Sequence, residues 1–234
     1  MFRAFNFSLC FIMLLALTVQ FTMAEDKDKA ISLFNGKDLT GWLTKEGKPA
    51  ETLKVGKAKL DPSNPSELMV EPEGNDLVNF KGGGRDFFTE AKFGDALIEV
   101  EFMVPKGSNS GVYVMGEYEI QILDSFGKKE VGPGDVGGLY GAQAPRVNAS
   151  KAPGEWQKFI IDFRAPKFDK DGNKTANARF VKVTLNDKVI HEEVEMKGPT
   201  PGGLSGKESA AGPLMFQGNH GPVAYRNIKI TPVK

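Results

Sequence analysis

Cysteine is nearly absent from this chain: its 234 residues contain one, Cys10, close to the amino end. Everything after it lacks disulfides, thiolate nucleophiles and thiolate ligands, which excludes cysteine catalysis and Cys-type zinc sites. A chain of this length buries a sufficient core without cross-links. Net charge is missing too: Lys and Arg number 30, Asp and Glu number 30, and the formal charge is +0 at pH 7. No long basic run is interleaved with aromatics, so neither nucleic acid nor an acidic membrane surface is an expected partner. Beyond the first 24 residues, no apolar stretch approaches the roughly 20 needed to span a bilayer. A Gly-x-Ser-x-Gly elbow, a phosphate loop and an HExxH helix are all absent. So are internal repeats, interdomain linkers and amphipathic helices longer than two turns.

What is present begins with a leader. Arg3 gives a positive start, residues 9–17 form an apolar run, and Thr22-Met23-Ala24 precedes the charged Glu25-Asp26-Lys27. Charge, length and flank together describe a secretory signal peptide over residues 1–24. A retained amino-terminal anchor is the competing reading. Cleavage removes Arg3, so 30 acidic residues face 29 basic ones and the mature form carries about −1. Residues 25–234 are then expected to form a single domain, exported to the periplasm or the exterior.

Period-two alternation dominates that region, punctuated by 27 Gly and 14 Pro in the whole chain. Strands are expected over residues 96–104, 111–115, 118–123, 157–163, 179–185, 188–194, 214–217 and 225–231. Asn186-Asp187 reads as a tight hairpin turn. Residues 45–65 look loop-rich, with one strand near 53–55, and 198–212 reads as a long surface loop. Residues 169–174 faintly resemble a calcium loop but lack its closing Glu, so a solvated hairpin tip is the better reading. Many short strands without a βαβ rhythm argue for an all-β, antiparallel sandwich or barrel.

The strand Tyr118-Glu-Ile-Gln-Ile-Leu-Asp124 carries the most chemistry. Alternation sets Glu119 and Gln121 on one face, against Tyr118, Ile120 and Ile122 on the other. Two polar neighbours on an apolar strand either meet solvent or find partners. A wet strand face and a site for a polar, uncharged ligand such as a sugar both fit. Asp124 either caps the turn at Ser125 or joins the site, and Asn109, in Gly107-Ser-Asn-Ser-Gly111, is a turn former or a cleft-edge amide. His191 sits in a charged hairpin strand and reads as a surface residue. His220 lies in Phe216-Gln-Gly-Asn-His-Gly-Pro222, a tight loop entered through Gln217, where it serves as acid/base or fixes the loop. Arg226 shares parity with Ile228 and Ile230 and so needs an acceptor, either a carboxylate such as Glu119 or Asp124 or a sugar oxygen. Tyr140 and Trp156 have rings suited to stacking on a pyranose, with Trp156 better read as core. Gly82-Gly-Gly84 reads as a plain loop.

Several segments together resemble the family of 3-keto-disaccharide hydrolase domains. They are Leu33-Phe-Asn-Gly-Lys-Asp-Leu-Thr-Gly-Trp42, Ser110-Gly-Val-Tyr113, Tyr118-Glu-Ile-Gln-Ile-Leu-Asp124, Gly154-Glu-Trp156 and Gly218-Asn-His-Gly-Pro222 through Arg226-Asn-Ile-Lys-Ile230. The resemblance implies a jelly-roll β-sandwich of the concanavalin A-like lectin/glucanase type, exported by a bacterium and acting on glycosides with a ketone at carbon 3. The family's closing loop usually has an acidic residue where Asn219 stands, and an Asn where Gln157 stands. The implied chemistry removes the proton at carbon 2, expels the aglycone from carbon 1 and adds water back. Such a route needs a base, an acid and polarisation of the ketone. Glu119 and His220 are the candidate acid/base pair, in either order, with Asn109, Gln121, Asp124, Tyr140, Gln217 and Arg226 as candidate substrate-binding residues. A divalent metal held by His220, Glu119 and Asp124 is a conceivable polariser, though the sequence requires no cofactor. A non-catalytic carbohydrate-binding module is the alternative. An ordinary glucanase ranks last, because Gln121 stands where a further carboxylate is expected after Glu117 and Glu119.

Overall fold

Alternation of apolar and polar residues builds two large antiparallel sheets and one two-stranded hairpin from the residues described in this computed structural model, 29–46 and 53–233. The leader expected over residues 1–24 lies outside them. The strands are β1 (Ile31–Ser32), β2 (Trp42–Thr44), β3 (Leu53–Leu60), β4 (Leu68–Asn79), β5 (Phe87–Phe93), β6 (Ala96–Met103), β7 (Asn109–Val114) and β8 (Tyr118–Leu123). They continue as β9 (Gln157–Arg164), β10 (Lys167–Phe168), β11 (Lys174–Ala176), β12 (Ala178–Leu185), β13 (Lys188–Met196), β14 (Gly212–Phe216) and β15 (Val223–Pro232). No helix occurs among the described residues.

One sheet runs β13-β12-β9-β6-β15-β4-β3 with β1 beside β15; the other runs β2-β5-β14-β7-β8. Their inner faces share one apolar core that includes Ile98, Phe102, Phe163, Val112, Ile120 and Phe216. Aromatic contacts bridge it: Tyr118 meets Phe163 at 5.5 Å between ring centroids, and Phe216 stacks on Tyr225 at 4.0 Å. Trp42 packs on Phe216 at 5.4 Å and donates its indole N–H to Leu33 O at 2.9 Å. The amino-terminal motif thus belongs to the sandwich core. The chain forms the all-β, antiparallel jelly-roll sandwich expected of it.

Asn186 and Asp187 both take positive φ, 49° and 65°, the twist a two-residue hairpin turn requires. The β10–β11 hairpin ends in the solvated tip expected there, with the Asp169 carboxylate accepting from the backbone of Asp171 and Asn173. Two longer strands, β4 and β5, were not anticipated, and the strand expected near residues 53–55 reaches Leu60. β3 extends through the region expected to be loop-rich, and β4 pairs with it around a break where Gly56 faces Asp76 and Lys57 faces Glu71. Pro72 and Gly74 interrupt the alternation of β4, which hides its period.

His191 corrects the sequence reading. The register of β13 shifts where His191 faces Val183 and Val189 faces Thr184, leaving Ile190 as an extra residue. Ile190 and His191 are therefore both buried, and His191 Nε2 donates to Gly137 O at 2.7 Å. Burial holds the imidazole pKa below its ordinary value, so the ring is neutral at pH 7.

Candidate active site

The outward faces of β7 and β8 carry the site. Their register sets Gly111 opposite Gln121 and Tyr113 opposite Glu119, with Asn109 on the same face two residues before Gly111. Ser110, Val112, Ile120 and Ile122 point the other way and are fully buried. Alternation thus divides one pair of strands into a core face and a polar face.

Glu119 is only 2 % exposed. Burial, opposed by a hydrogen bond from Tyr113 and aided by the nearby charge of Asp86, pushes its pKa up to about 7. Burial and the Glu119 charge raise the Tyr113 phenol well above its ordinary value, so it remains a donor. The Gln121 amide bridges its neighbours. With its nitrogen turned inward it donates to Glu119 Oε1 at 3.0 Å and Ser110 O at 3.2 Å; turned outward, it donates to Asn109 Oδ1 at 3.1 Å. Gly111 makes room for the carboxyl, because a Cβ there would stand 2.2 Å from Glu119 Oε1.

Two loops close the outer edge of β8. Tyr140 N donates to Glu119 O at 3.1 Å, Gly137 N to Gln121 O at 2.8 Å, and Gln121 N to Gly138 O at 2.8 Å. From the other side, Thr200 N donates to Glu117 O and Glu119 N donates to Thr200 Oγ1, both at 2.9 Å. Glu117 is buried, and its carboxylate accepts from Ser205 N, Ser205 Oγ and Gly206 N at 2.6–2.9 Å. Its role is to anchor this loop, which separates it from a glucanase-type catalytic pair. Pro201 and Gly202 then pass over Tyr113, where a Cβ on Gly202 would lie 2.7 Å from the phenolic oxygen.

The third wall is the loop bearing His220. Asn79 Nδ2 donates to Gly218 O at 2.7 Å, Gly218 N donates to Asp86 Oδ1 at 3.1 Å, and Gly84 N donates to Gly218 O at 2.9 Å. The Gly82-Gly-Gly84 segment is therefore a support for this loop, with Gly82 packed against Gly221. His220 is exposed, and Nδ1 pairs with Asn219 Oδ1. Beneath the loop, Ser110 Oγ pairs with the buried Tyr225 hydroxyl at 2.8 Å and donates to Gln217 O at 2.7 Å.

Glu119, His220, Asn109, Gln121, Tyr140 and Gln217 line one cleft of about 230 Å³, together with Tyr113, Pro201 and Gly202. Two sequence candidates lie elsewhere. Asp124 accepts from Gly107 N at 2.9 Å and Phe126 N at 3.3 Å, so it caps two turns. Arg226 pairs through Nε with Glu101 at 2.7 Å and lies 4.0 Å over the Trp156 ring. A bulge explains its placement: Arg226 faces Glu101 and Lys229 faces Glu99, with Asn227 at φ 50°, so Ile228 and Ile230 turn inward while Arg226 does not. Among the described residues no three His, Cys, Asp or Glu side chains converge on a metal position, so Asp124 does not join Glu119 and His220. Tyr113 was missed, although it shares parity with Asn109 along β7 and that alternation marks it.

A family model described as the 3-keto-alpha-glucoside-1,2-lyase-like domain matches residues 29–231. Among solved structures, a candidate glycosyl hydrolase from Parabacteroides distasonis is 28% identical at a TM-score of 0.68, covering 87% of this chain and 84% of that one. A second from the same organism is 18% identical at a TM-score of 0.61, covering 91% and 98%. At that lower identity the likeness concerns the fold. No curated protein matches the chain.

Proposed function

Because this chain belongs to the family of 3-keto-alpha-glucoside-1,2-lyase-like domains, a carbohydrate-active family, we propose that it cleaves 3-keto glycosides by elimination followed by hydration. The observation that carries this reading is the buried Glu119, with its pKa near 7, on the floor of a cleft lined also by the phenols of Tyr113 and Tyr140, the amides of Asn109, Gln121 and Gln217, and His220. A base of that strength suits a proton made acidic by a neighbouring ketone. Glu119 takes the proton from carbon 2. The electron pair forms the double bond between carbons 1 and 2, and the aglycone oxygen leaves carbon 1. Tyr113 and the amides of Asn109 and Gln121 donate to the ketone oxygen as charge develops there. His220, at the exposed rim, gives its proton to the departing oxygen. Its Nδ1 is engaged by Asn219, which leaves Nε2 as the exchanging atom. Water then returns a hydroxyl to carbon 1 and a proton to carbon 2, completing net hydrolysis.

Turnover should therefore depend on the ketone. The purified protein is expected to release methanol from methyl 3-keto-α-glucoside and none from methyl α-glucoside. Equal cleavage of both would show an ordinary glycosidase, and binding of either without cleavage would favour a carbohydrate-binding module.

We further propose that residues 1–24 direct export and are removed, leaving one domain that works in the periplasm or outside a bacterial cell. The family match beginning at residue 29 leaves this leader outside the domain. Expressed with its leader in a bacterium, the protein recovered outside the cytoplasm should start at Glu25. Recovery of the intact leader would support a retained anchor instead.

A further inference from the structure

Asn79 is 1 % exposed and takes no part in the proposed chemistry. Its Nδ2 donates to Gly218 O at 2.7 Å and to Gly221 O at 3.3 Å, carbonyls that stand before and after His220 in the chain. A carboxamide nitrogen carries two hydrogens, one for each carbonyl. Oδ1 has no partner among the described residues, so the hydrogen bonds of this side chain go to the His220 loop alone. Other side chains hold one flank each: Asp86 accepts from Gly218 N, and Ser108 Oγ donates to Pro222 O at 2.5 Å. Among the described residues, Asn79 is the side chain that reaches both.

The loop needs such a tie because its histidine lies between glycines. A Cβ on Gly218 would stand 2.1 Å from Arg85 O, and one on Gly221 would stand 2.4 Å from Ser108 Oγ and 2.8 Å from Asn109 N. Close seating therefore excludes larger residues at both positions, at the cost of backbone freedom. Asn79 also ties the loop to the larger sheet, where it faces Val223 of β15 and Leu53 of β3. Gln217, at the start of the loop, is held by the smaller sheet instead: its N donates to Gly111 O at 3.0 Å, and its O accepts from Ser110 Oγ. Glu119 belongs to that smaller sheet. The entry to the loop thus follows the sheet that bears the carboxyl, while the stretch around His220 is fastened to the opposite one.

We propose that Asn79 is a positioning residue: its amide clasps the loop on both sides of His220 and fixes where the imidazole stands relative to Glu119. The inference deepens the elimination reading, on which it rests for the roles of His220 and Glu119.

The test uses methyl 3-keto-α-glucoside and Asn79→Leu, which keeps the volume approximately and removes both donors. kcat should fall by about 10-fold or more with KM changed by less than about 3-fold, because the imidazole is displaced while the substrate keeps its contacts. In the His220→Ala background the same change should cost less than about 2-fold, since both act through one ring. A general loosening of the sandwich would lower the rate equally in both backgrounds. That result, or a wild-type rate in Asn79→Leu alone, overturns the clasp. Asn79→Ser, too short to reach both carbonyls, replaces Asn79→Leu if the latter does not fold, with the same outcomes expected. Amide NMR relaxation supplies a readout free of turnover. Order parameters for Asn219 to Gly221 should lie near about 0.85 in the wild type and below about 0.6 in the variant, with β7 and β8 unchanged. If the sugar is not cleaved, the elimination reading fails on its own and these order parameters decide the clasp. Values already low in the wild type, or unchanged in the variant, overturn it.

Discussion

Glu119→Gln should lower kcat on a 3-keto glucoside by at least about 100-fold while making the protein more stable in mild alkali. The two effects share one cause. Burial raises the carboxyl from its ordinary 4.5 to about 7, so the folded protein holds a proton that the unfolded chain has released. Between those values the native state binds more protons, and stability falls as pH rises through the interval. Above about pH 7 the ionised carboxylate costs the fold on the order of 3 kcal/mol, from 7 − 4.5 pKa units. The neutral amide removes that cost above pH 7 and brings no gain below pH 4.5. In the wild type kcat/KM should rise with pH around a midpoint near 7, because the base must be ionised in the free protein; in the variant that rise should vanish. Thermal melts at pH 5 and 8, set beside rate profiles, check both halves. Wild-type turnover in the variant would remove Glu119 from the chemistry, and a midpoint near 4.5 would contradict the effect of burial.

Gly111→Ala tests position instead of charge. The new methyl carbon would lie 2.2 Å from Glu119 Oε1, 2.9 Å from Cδ and 3.0 Å from Cγ. What must move is the end of one side chain, since no backbone atom is among these nearest contacts. The expected stability loss is therefore modest, about 1–2 kcal/mol. Turnover is more sensitive, because displacing a catalytic group by about 1 Å can cost 100-fold. Gly111→Ala should therefore cut kcat by about 10- to 100-fold while the protein still melts cooperatively. Added to Glu119→Gln it should lower the rate little further, since both changes act through one carboxyl. Independent, multiplying losses would mean that Gly111 serves something other than the space beside Glu119.

Local period was enough to read most of the sandwich and the polar face of β8. Tyr118 to Leu123 alternates without interruption, so the facing of Glu119 and Gln121 follows from counting residues. Asn186-Asp187 is equally local: two residues tolerant of positive φ sit between two apolar runs. Arg226 and His191 were misread for a common reason. Each stands beside a register shift, and one extra residue reverses which face the next side chain takes. A bulge is a property of a strand pair, and its partner strand is about 125 to 130 residues away for β15 and a single turn away for β13. Asp86 and Asn79 were invisible for a different reason. They act through the backbone of the His220 loop, more than 130 positions later, and no residue type announces that contact. Glu117 shows the limit of reading residue types: it alternates with Glu119 as a catalytic pair would, yet its carboxylate is spent on Ser205 and Gly206.

The loops along β8 also guard against self-association. β8 is the last strand of its sheet, and an unoccupied strand edge is a template for pairing with another molecule. Here the outward backbone groups of Glu119 and Gln121 are taken by Thr200, Tyr140, Gly137 and Gly138. The segments that shape the cleft are thus the same ones that keep the edge from recruiting a neighbour. Loosening them to admit bulkier sugars would uncover that edge, so broader specificity and freedom from aggregation are opposed in this protein. Selection for new substrates has more freedom at Tyr140's ring, which lines the cleft and can change while the backbone stays in place.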